Sequence, residues 1–261
     1  MGYHFDWAIF WKYLWPVTAL QYPLIRNGLV ATILVSVIAQ LMGVILGLFA
    51  ALAKNAKFAP LRWLANAYVW YFRGTPLLVQ MSLLYYGLGV THIFDFPDLH
   101  LGIITISGAI QAGTLALGIN EGAYMAEIVR AGIEAVDTGQ MEAAKSLGMT
   151  FGLAMRRIVL PQAAKVIIPP LGNEFNNMMK TTTLMVTISA GELFFGFEQL
   201  NAQFFKPFEL FVAASIYYLA MTTVWSLIQS RIEGSLGERK GKVQTPGFFQ
   251  RLSGVRTIGH E

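Results

Sequence analysis

Long apolar runs separated by short polar segments dominate the hydrophobic pattern of this chain. The clearest run extends from Asn27 to Ala53 and contains no charged residue. An α-helix of that length rises about 40 Å, which is enough to cross a hydrocarbon core of about 30 Å with some tilt. The run therefore predicts a transmembrane helix.

Four further runs follow, at about 64–90, 103–129, 163–196 and 208–228. The second is interrupted by FRGTP around Arg73. The fourth is interrupted by Lys180 and is too long for one straight helix across a bilayer. It predicts either one broken helix or two separate passes, and helix breaks at membrane depth are tolerated where they line a cavity or are buried in protein.

The distribution of lysine and arginine favours five spans over six. With five spans and an external amino terminus, the external segments hold only Lys12, Arg26 and Lys206, and most of the other cations lie inside the cell. Six passes would place the basic carboxyl-terminal tail outside, against the positive-inside rule. We therefore expect an external or interfacial segment at 1–26, a transmembrane domain at 27–232 and a cytoplasmic basic tail at 233–261.

Composition agrees with an integral membrane protein. Of the 261 residues, 55% are hydrophobic and 13% are charged, and the mean hydropathy is +0.51. The absence of cysteine from the sequence excludes disulfides and thiol catalysis, and the four scattered histidines lack the spacing of metal ligands. The net charge of +4 is spread along loops, so no nucleic-acid partner is expected.

The polar segment between the third and fourth runs has an internal pattern of its own. Asp137 followed by Gln140 resembles a capping box, which predicts a short helix through Glu142 to Leu147. Gly148 suits the left-handed residue that ends a helix. A second short helix is expected from Phe151 to Val159, with Pro161 at the start of the next helix. Two short helices joined at a glycine predict a rigid docking element on the cytoplasmic side.

The spacing of this segment resembles the EAA loop of ABC importer permeases. The matching residues are Glu142, Ala143, Ala144, Gly148, Ile158, Leu160 and Pro161. Three further stretches resemble the polar amino-acid uptake branch of that family, which includes histidine, glutamine and arginine permeases. They are YFRGTPLLVQMSLLYYGL (Tyr71–Leu88), GAYMAEIVRAGIEAV (Gly122–Val136) and LPQAAKVIIPPLGNEFNNMMKTTTL (Leu160–Leu184).

The resemblance implies an all-α membrane protein of about five transmembrane helices, with a cytoplasmic two-helix coupling loop at 137–161 between the third and fourth. It implies a transport subunit, not an enzyme, in a bacterial inner membrane. The implied partners are an ATPase dimer, a second identical or paralogous permease, an external solute-binding protein, a polar amino acid and membrane lipid. No cofactor is expected in this chain, because ATP and magnesium would be bound by the ATPase. The coupling residues carried over are those of the EAA match together with Arg156.

The fourth run also supplies candidates for a translocation path. Asn173, Asn177 and Lys180 recur at a spacing that places them on one helical face, and Glu174 and Thr181 lie beside them. Polar groups at membrane depth usually face a bundle interior or an aqueous cavity. Helix–helix hydrogen bonding by the amides and snorkelling of the lysine remain the alternatives.

Earlier runs add two more candidates. Gln80 follows Pro76 by one turn and could line the cavity or bond across helices. Glu121 lies deep in the third run and could meet a substrate's ammonium group or pair with Lys180 or Arg73.

Three charged residues near the membrane edge have simpler interpretations. Glu127 and Arg130 are spaced as a local salt bridge. Arg73 is either an interfacial arginine or a cation near the path. Three alternative functions stay open: a permease of the same superfamily for an opine or small peptide, an intramembrane enzyme using Glu121, Glu127 and Lys180, and a purely structural membrane adaptor.

Overall fold

A computed structural model of the chain describes residues 4–15, 20–102 and 104–235. Within these ranges, two helices are long and apolar enough to cross a membrane, Pro23–Lys54 and Pro207–Ser235. A third apolar helix, Leu77–Val90, is shorter.

Helices account for most of the described residues. They are α1 (Trp7–Leu14), α2 (Pro23–Lys54), α3 (Ala59–Gly74), α4 (Leu77–Val90), α5 (Gly108–Glu134), α6 (Thr138–Ser146), α7 (Phe151–Ala154), α8 (Leu160–Thr181), α9 (Leu193–Phe204) and α10 (Pro207–Ser235). A π turn, Leu83–Gly87, lies inside α4, and a second, Met155–Val159, joins α7 to α8. A 3₁₀ segment, Thr182–Ile188, extends α8.

The crossing of α2 and α5 forms the centre of the bundle. Gly43 and Gly47 lie one turn apart on α2, and a Cβ at either position would overlap Glu121 or Met125 of α5. Small residues at such positions let two helix backbones approach closely, as is common between membrane helices. The glycines therefore let the face of α5 that carries Glu121 pack directly against α2.

The outer face of α2 is apolar and exposed, whereas its inner face carries small and polar residues. Thr32, Ser36 and Gln40 are buried, while large apolar side chains on the same helix are exposed. Burial of polar groups with exposure of large aliphatic groups reverses the pattern of a water-soluble helix and favours lipid as the surrounding solvent. The exposed apolar residues include Val30, Leu34, Val37, Leu41 and Ile45.

The predicted interruption of the second run is confirmed. α3 ends at Gly74, and α4 begins after Thr75 and Pro76 in extended backbone. The fourth run is also broken, but the break lies after Lys180: the 3₁₀ segment ends at Ser189 in a left-handed conformation, and α9 starts at Leu193.

The expectation of an all-helical third run was wrong at its beginning. Strands β1 (Leu99–Leu101) and β2 (Ile104–Ile106) form a short antiparallel hairpin, with Leu99 opposite Ile106. β-branched residues favour this extended pairing. The helix starts only at Gly108, because the Ser107 side chain caps it by accepting a hydrogen bond from the Ile110 amide.

The two ends of the chain are described in part. α1 falls within the expected external or interfacial segment 1–26, and α2 begins at Pro23, before the predicted start of the first span. At the other end, α10 continues to Ser235, so the first residues of the predicted tail 233–261 are helical. The remainder of that tail lies outside the described residues.

Candidate functional site

A polar cavity of about 590 Å³ lies between α5, α8 and the 3₁₀ segment. Its walls combine charged, amide and hydroxyl groups with a few aliphatic side chains. The volume falls in the range of about 300–1,000 Å³ that is usual for small-molecule sites. The lining residues are Leu77, Leu117, Asn120, Glu121, Tyr124, Glu174, Asn177, Met178, Lys180, Thr181, Thr183 and Leu184.

Glu121 is the deepest charged group of the cavity, with 6% of its surface exposed. Its Oε1 atom accepts a hydrogen bond from Gln40 Nε2 of α2 at 3.2 Å. Neither Lys180 nor Arg73, the two cations considered as its partners, forms an ion pair with it among the described residues. The Arg73 guanidinium instead lies 5.3 Å from the ring centroid of Tyr124.

The opposite wall is formed by one face of α8. Glu174, Asn177 and Thr181 recur at three- and four-residue spacing and all line the cavity, as does Lys180. This face is rotated by one position from the expected face, which was centred on Asn173, Asn177 and Lys180. Of the path candidates on the fourth run, the structure therefore brings Glu174, Asn177, Lys180 and Thr181 together with Glu121.

Asn173 and Gln80 lie outside this cavity wall. Asn173 Oδ1 accepts a hydrogen bond from Gln229 of α10 at 3.3 Å. Gln80 is 6% exposed, and its Nε2 atom donates to the Thr75 and Phe72 carbonyl oxygens, each at 3.0 Å. Gln80 thus satisfies carbonyls left open where α3 ends, and its Oε1 atom accepts from Asn120 Nδ2 at 3.0 Å.

Consecutive threonines lie at the carboxyl-terminal end of the cavity wall formed by α8. Thr181 donates its hydroxyl to the Asn177 carbonyl at 2.9 Å, and Thr183 donates to the Lys180 carbonyl at 2.8 Å. Such backward bonding competes with the regular helix. β-branched residues also pack poorly in helices. The helix tightens into the 3₁₀ segment here, while the hydroxyl oxygens retain acceptor capacity toward the cavity.

A cluster of ion pairs joins α2 to α5 beyond the cavity. The predicted salt bridge is confirmed, with Arg130 Nη2 lying 2.9 Å from Glu127 Oε2. Lys54 also pairs with Glu127, and Arg130 pairs with Glu134 at 2.7 Å. This cluster ties the ends of α2 and α5 to each other where α5 leads into α6.

Residues 137–161 are hereafter called the coupling segment, after the role that the resemblance implies, and they contain α6 and α7. Asp137 caps α6 by accepting a hydrogen bond from the Gly139 amide at 2.7 Å. The reciprocal half of the predicted capping box does not form, because Gln140 Oε1 accepts from Gln162 Nε2 instead. Gly148 has φ +79°, so the predicted left-handed end of the helix is confirmed.

The second half of the coupling segment differs from the prediction. Val159 does not end a separate short helix, since α7 continues through the π turn into α8. The Leu160 amide bonds to the Met155 carbonyl, five residues back. This wider turn accommodates Pro161, which has no amide hydrogen to donate and crowds the preceding turn. After the π turn, α-helical hydrogen bonding resumes around Pro161 within one continuous helix.

The coupling segment presents an apolar tip around its glycine. Leu147 is 82% exposed and Phe151 is 61% exposed. Glu142 and Ala143 are also exposed, while Ala144 is buried against the segment's own second half. Of the other carried-over coupling residues, Arg156, Leu160 and Pro161 are exposed and Ile158 is partly buried. An exposed tip with large apolar side chains is suited to a protein partner.

Sequence reasoning missed several lining residues. Asn120, Tyr124 and Thr183 were not candidates, although each has a cavity-facing side chain. The helical periodicity on α5 could have found two of them, because Tyr124 lies three residues after Glu121 and four after Asn120, and both spacings fall on one helical face. Thr183 could not be found this way, because the 3₁₀ segment changes the angular spacing of side chains.

The fold and site define an α-helical membrane component with a cavity that contains charged and polar groups, and with an exposed element suited to a protein partner. The family model for the binding-protein-dependent transport system inner membrane component matches residues 43–237. The chain belongs to this family. It is therefore a membrane transport subunit and not an enzyme, and its family implies an ATPase and a binding protein as partners.

Several named relatives match over most of their length. The chain is 35% identical to the probable glutamine ABC transporter permease protein GlnM of Bacillus subtilis (strain 168) over 82% of this chain and 96% of that protein. It is 36% identical to the arginine transport system permease protein ArgU of Corynebacterium glutamicum over 85% of this chain and 70% of that protein. It is 33% identical to the L-cystine transport system permease protein TcyB of Bacillus subtilis, over 90% and 93%.

Solved structures share the fold. A crystal structure of an amino acid ABC transporter with histidines superposes with a TM-score of 0.75 and 37% identity, covering 90% of this chain and all of that one. An inward-facing structure of the MetNI methionine ABC transporter gives a TM-score of 0.66 at 15% identity, over 82% of this chain and 96% of that one. At that identity the second match concerns the fold alone.

Proposed function

We propose that this chain forms the translocation path of an ATP-driven importer for a polar amino acid. The observation that carries the proposal is the cavity between α5 and α8, whose walls hold Glu121, Glu174 and Lys180. Charged groups at membrane depth are costly and usually mark a path for polar solutes. An amino acid carries an ammonium and a carboxylate that groups of this kind can bind, and relatives named for glutamine, arginine and cystine support that class of substrate.

The coupling segment is the proposed contact with the ATPase. Glu142, Ala143 and Gly148 lie on its exposed surface, and Leu147 and Phe151 supply apolar anchors. A groove on the ATPase subunit would receive this tip. Because α5 leads into the segment and α7 continues into α8, movement of the tip is transmitted to both walls of the cavity.

The proposed topology has five membrane spans, with the amino terminus outside and the tail inside. The spans would be α2, α3 with α4, α5, α8 with the broken segment that follows it, and α10. The α1 helix would lie at the outer interface, because Trp7, Trp11 and Trp15 are exposed at four-residue spacing. Tryptophan is enriched at membrane–water interfaces. A second permease subunit, two ATPase subunits holding ATP and magnesium, and one external binding protein would complete the importer.

Purification and reconstitution test this proposal. The tagged chain is expected to co-purify with an ATPase subunit. Proteoliposomes containing that complex and its binding protein should then accumulate a radiolabelled polar amino acid only when ATP is present on the side of the membrane that carries the ATPase. Omission of ATP is the control. Accumulation of an opine or dipeptide without any free amino acid would support the alternative substrate class, and a chain that recruits no ATPase would contradict the proposal.

A further inference from the structure

The cavity holds two carboxylates and one ammonium group within its walls. Glu121 comes from α5, and Glu174 and Lys180 come from α8. Among the described residues, none of the three forms an ion pair within 4.0 Å. These groups therefore remain available for a ligand, and the walls carry one more acid than base.

An α-amino acid satisfies two of these three groups whatever its side chain. Its carboxylate pairs with Lys180, and its ammonium pairs with one of the two glutamates. One carboxylate is then left without a counter-charge. A desolvated charge that lacks a partner is strongly unfavourable, so the third group discriminates between side chains. A cationic side chain supplies the missing charge, whereas a neutral or acidic side chain does not.

The arrangement indicates which glutamate faces the side chain. Glu174 lies on the same helix as Lys180 and is partly exposed, so this pair suits the backbone ammonium and carboxylate that all amino acids share. Glu121 lies on the facing helix and is 6% exposed. Its carboxyl group accepts a hydrogen bond from Gln40, a neutral amide that supplies no counter-charge.

Arg73 does not supply that compensation. Its guanidinium lies 5.3 Å from the centroid of the Tyr124 ring, and Arg73 is not among the lining residues. Arg73 thus contacts a wall residue without lining the cavity itself. The charge balance of the walls is therefore set by Glu121, Glu174 and Lys180.

We infer that the site selects cationic amino acids, with Glu121 binding the positively charged side chain and Glu174 and Lys180 binding the α-ammonium and α-carboxylate. This inference rests on the proposed function and adds the charge of the substrate side chain. Glu121 then determines specificity, while Glu174 and Lys180 bind the ammonium and carboxylate groups that all amino acids share.

Direct binding to the permease–ATPase complex in lipid nanodiscs tests the inference. The binding protein is left out, since its own selectivity would mask that of the cavity. Radiolabelled arginine is expected to bind at least about tenfold more tightly than glutamine, as for a single charge-assisted hydrogen bond gained. Glu121→Gln should weaken arginine binding by about tenfold or more and leave glutamine binding within about twofold.

Two further variants serve as controls. Glu121→Asp keeps the charge and should keep the preference for arginine. Glu134→Gln makes the same chemical change on the same helix at a side chain that is 61% exposed, and it should alter neither affinity. Monodisperse elution of every complex shows that the variants fold.

The outcomes separate this inference from the proposed function. Tighter binding of glutamine than arginine, or an unchanged preference in Glu121→Gln, would overturn the role of Glu121 while leaving an amino-acid importer. Failure of the nanodisc complex to bind either amino acid, while the complete transporter still imports one, would show that the cavity is not the selective site. Absence of amino-acid import by the complete transporter would instead refute the proposed function.

Discussion

Glu192 shows how one buried carboxylate can fix a break between two helices. It is fully buried and accepts hydrogen bonds from the Phe194 and Phe195 amides at 2.9 and 2.7 Å, which caps α9. The same carboxylate accepts from the Tyr218 hydroxyl of α10 at 2.9 Å and the Thr32 hydroxyl of α2 at 3.4 Å. Because its partners come from three helices, Glu192 holds the end of the 3₁₀ segment, and so one end of the cavity wall, in place.

Replacement of Glu192 by glutamine should lower stability without preventing folding. The amide keeps the shape and one acceptor but loses the charge-assisted part of the cap, so we expect a loss of about 1–3 kcal/mol. Thermal unfolding of the purified complex measures this as a lower Tm. Glu198→Gln, on the same helix at a partly buried position, should change Tm little. Equal Tm values for the two variants would contradict the role assigned to the Glu192 carboxylate.

The residues of the cavity were predictable from sequence only to within about one helical position. The run of polar residues on α8 correctly predicted a polar face, because charged groups in an apolar run must face protein or water. Asn173 lies outside the cavity wall, because α10 packs there and presents Gln229 to it. Gln80 was a candidate for the path, but the end of α3 leaves carbonyls that it satisfies. Neither contact can be predicted from the helical periodicity of a single apolar run.

At the scale of elements, the coupling segment combines a hydrogen-bonded glycine turn with an exposed tip. Gly148 adopts φ +79°, and the Met149 amide bonds to the Ala144 carbonyl at 3.1 Å, which closes the end of α6. A side chain at Gly148 would meet no atom of this chain within 4 Å. The space around it is therefore open to a partner subunit.

Gly148→Asp should leave the permease in the membrane but uncouple ATP hydrolysis from uptake. The aspartate adds bulk and charge where we propose that the ATPase binds, and the left-handed backbone costs about 1 kcal/mol in a non-glycine residue. The ratio of solute accumulated to ATP hydrolysed in proteoliposomes measures the effect, and we expect a decrease of about tenfold or more, equivalent to about 1.4 kcal/mol.

Gly102→Asp is the matched control for this variant. Gly102 has φ +63° in the β hairpin, and a Cβ added there would likewise meet nothing within 4 Å. The two substitutions therefore impose similar backbone strain in similarly open surroundings, at different ends of the proposed topology. Normal coupling in Gly148→Asp, or equal loss in both variants, would argue against a contact between the ATPase and Gly148.

The helical order of the coupling segment was predictable, but its continuity was not. Asp137 and Gly148 marked the ends of α6 because their side-chain and backbone properties act locally. Pro161 suggested a new helix for the same local reason. The π turn at Met155–Val159 instead absorbs the proline within one continuous helix, and such a register shift leaves no simple periodic signal in the sequence.

At the scale of the whole molecule, the cavity and the coupling segment are joined by continuous helices. From Glu121, α5 runs past the ion pairs of Glu127 and Arg130 to the beginning of α6. From the coupling segment, α8 runs back to Glu174 and Lys180. The close α2–α5 crossing keeps these elements together. A displacement at the segment can thus reach both cavity walls without passing through a flexible loop.

The overall class was predictable from the sequence because the signals are strong and extend over many residues. The uncharged run in α2 indicated a span, and the spacing of the EAA match in the coupling segment indicated the family. The β hairpin before α5 was not predicted, since two three-residue strands at the edge of an apolar run are too short to be separated from it by periodicity. The partners that surround the bundle were accessible only through resemblance, because an isolated chain shows its exposed faces but not what covers them.

The most direct test of the central claim is the side of the membrane on which the coupling segment lies. The natural chain contains no cysteine, so Ala143→Cys introduces a single exposed thiol in α6, and Gly102→Cys introduces one in the β hairpin. A membrane-impermeant maleimide should label Ala143→Cys only in inverted vesicles, with labelling reduced when the ATPase subunit is bound, and should label Gly102→Cys only in intact spheroplasts. Labelling of Ala143→Cys from the outside, or labelling that is unaffected by the ATPase, would contradict the account.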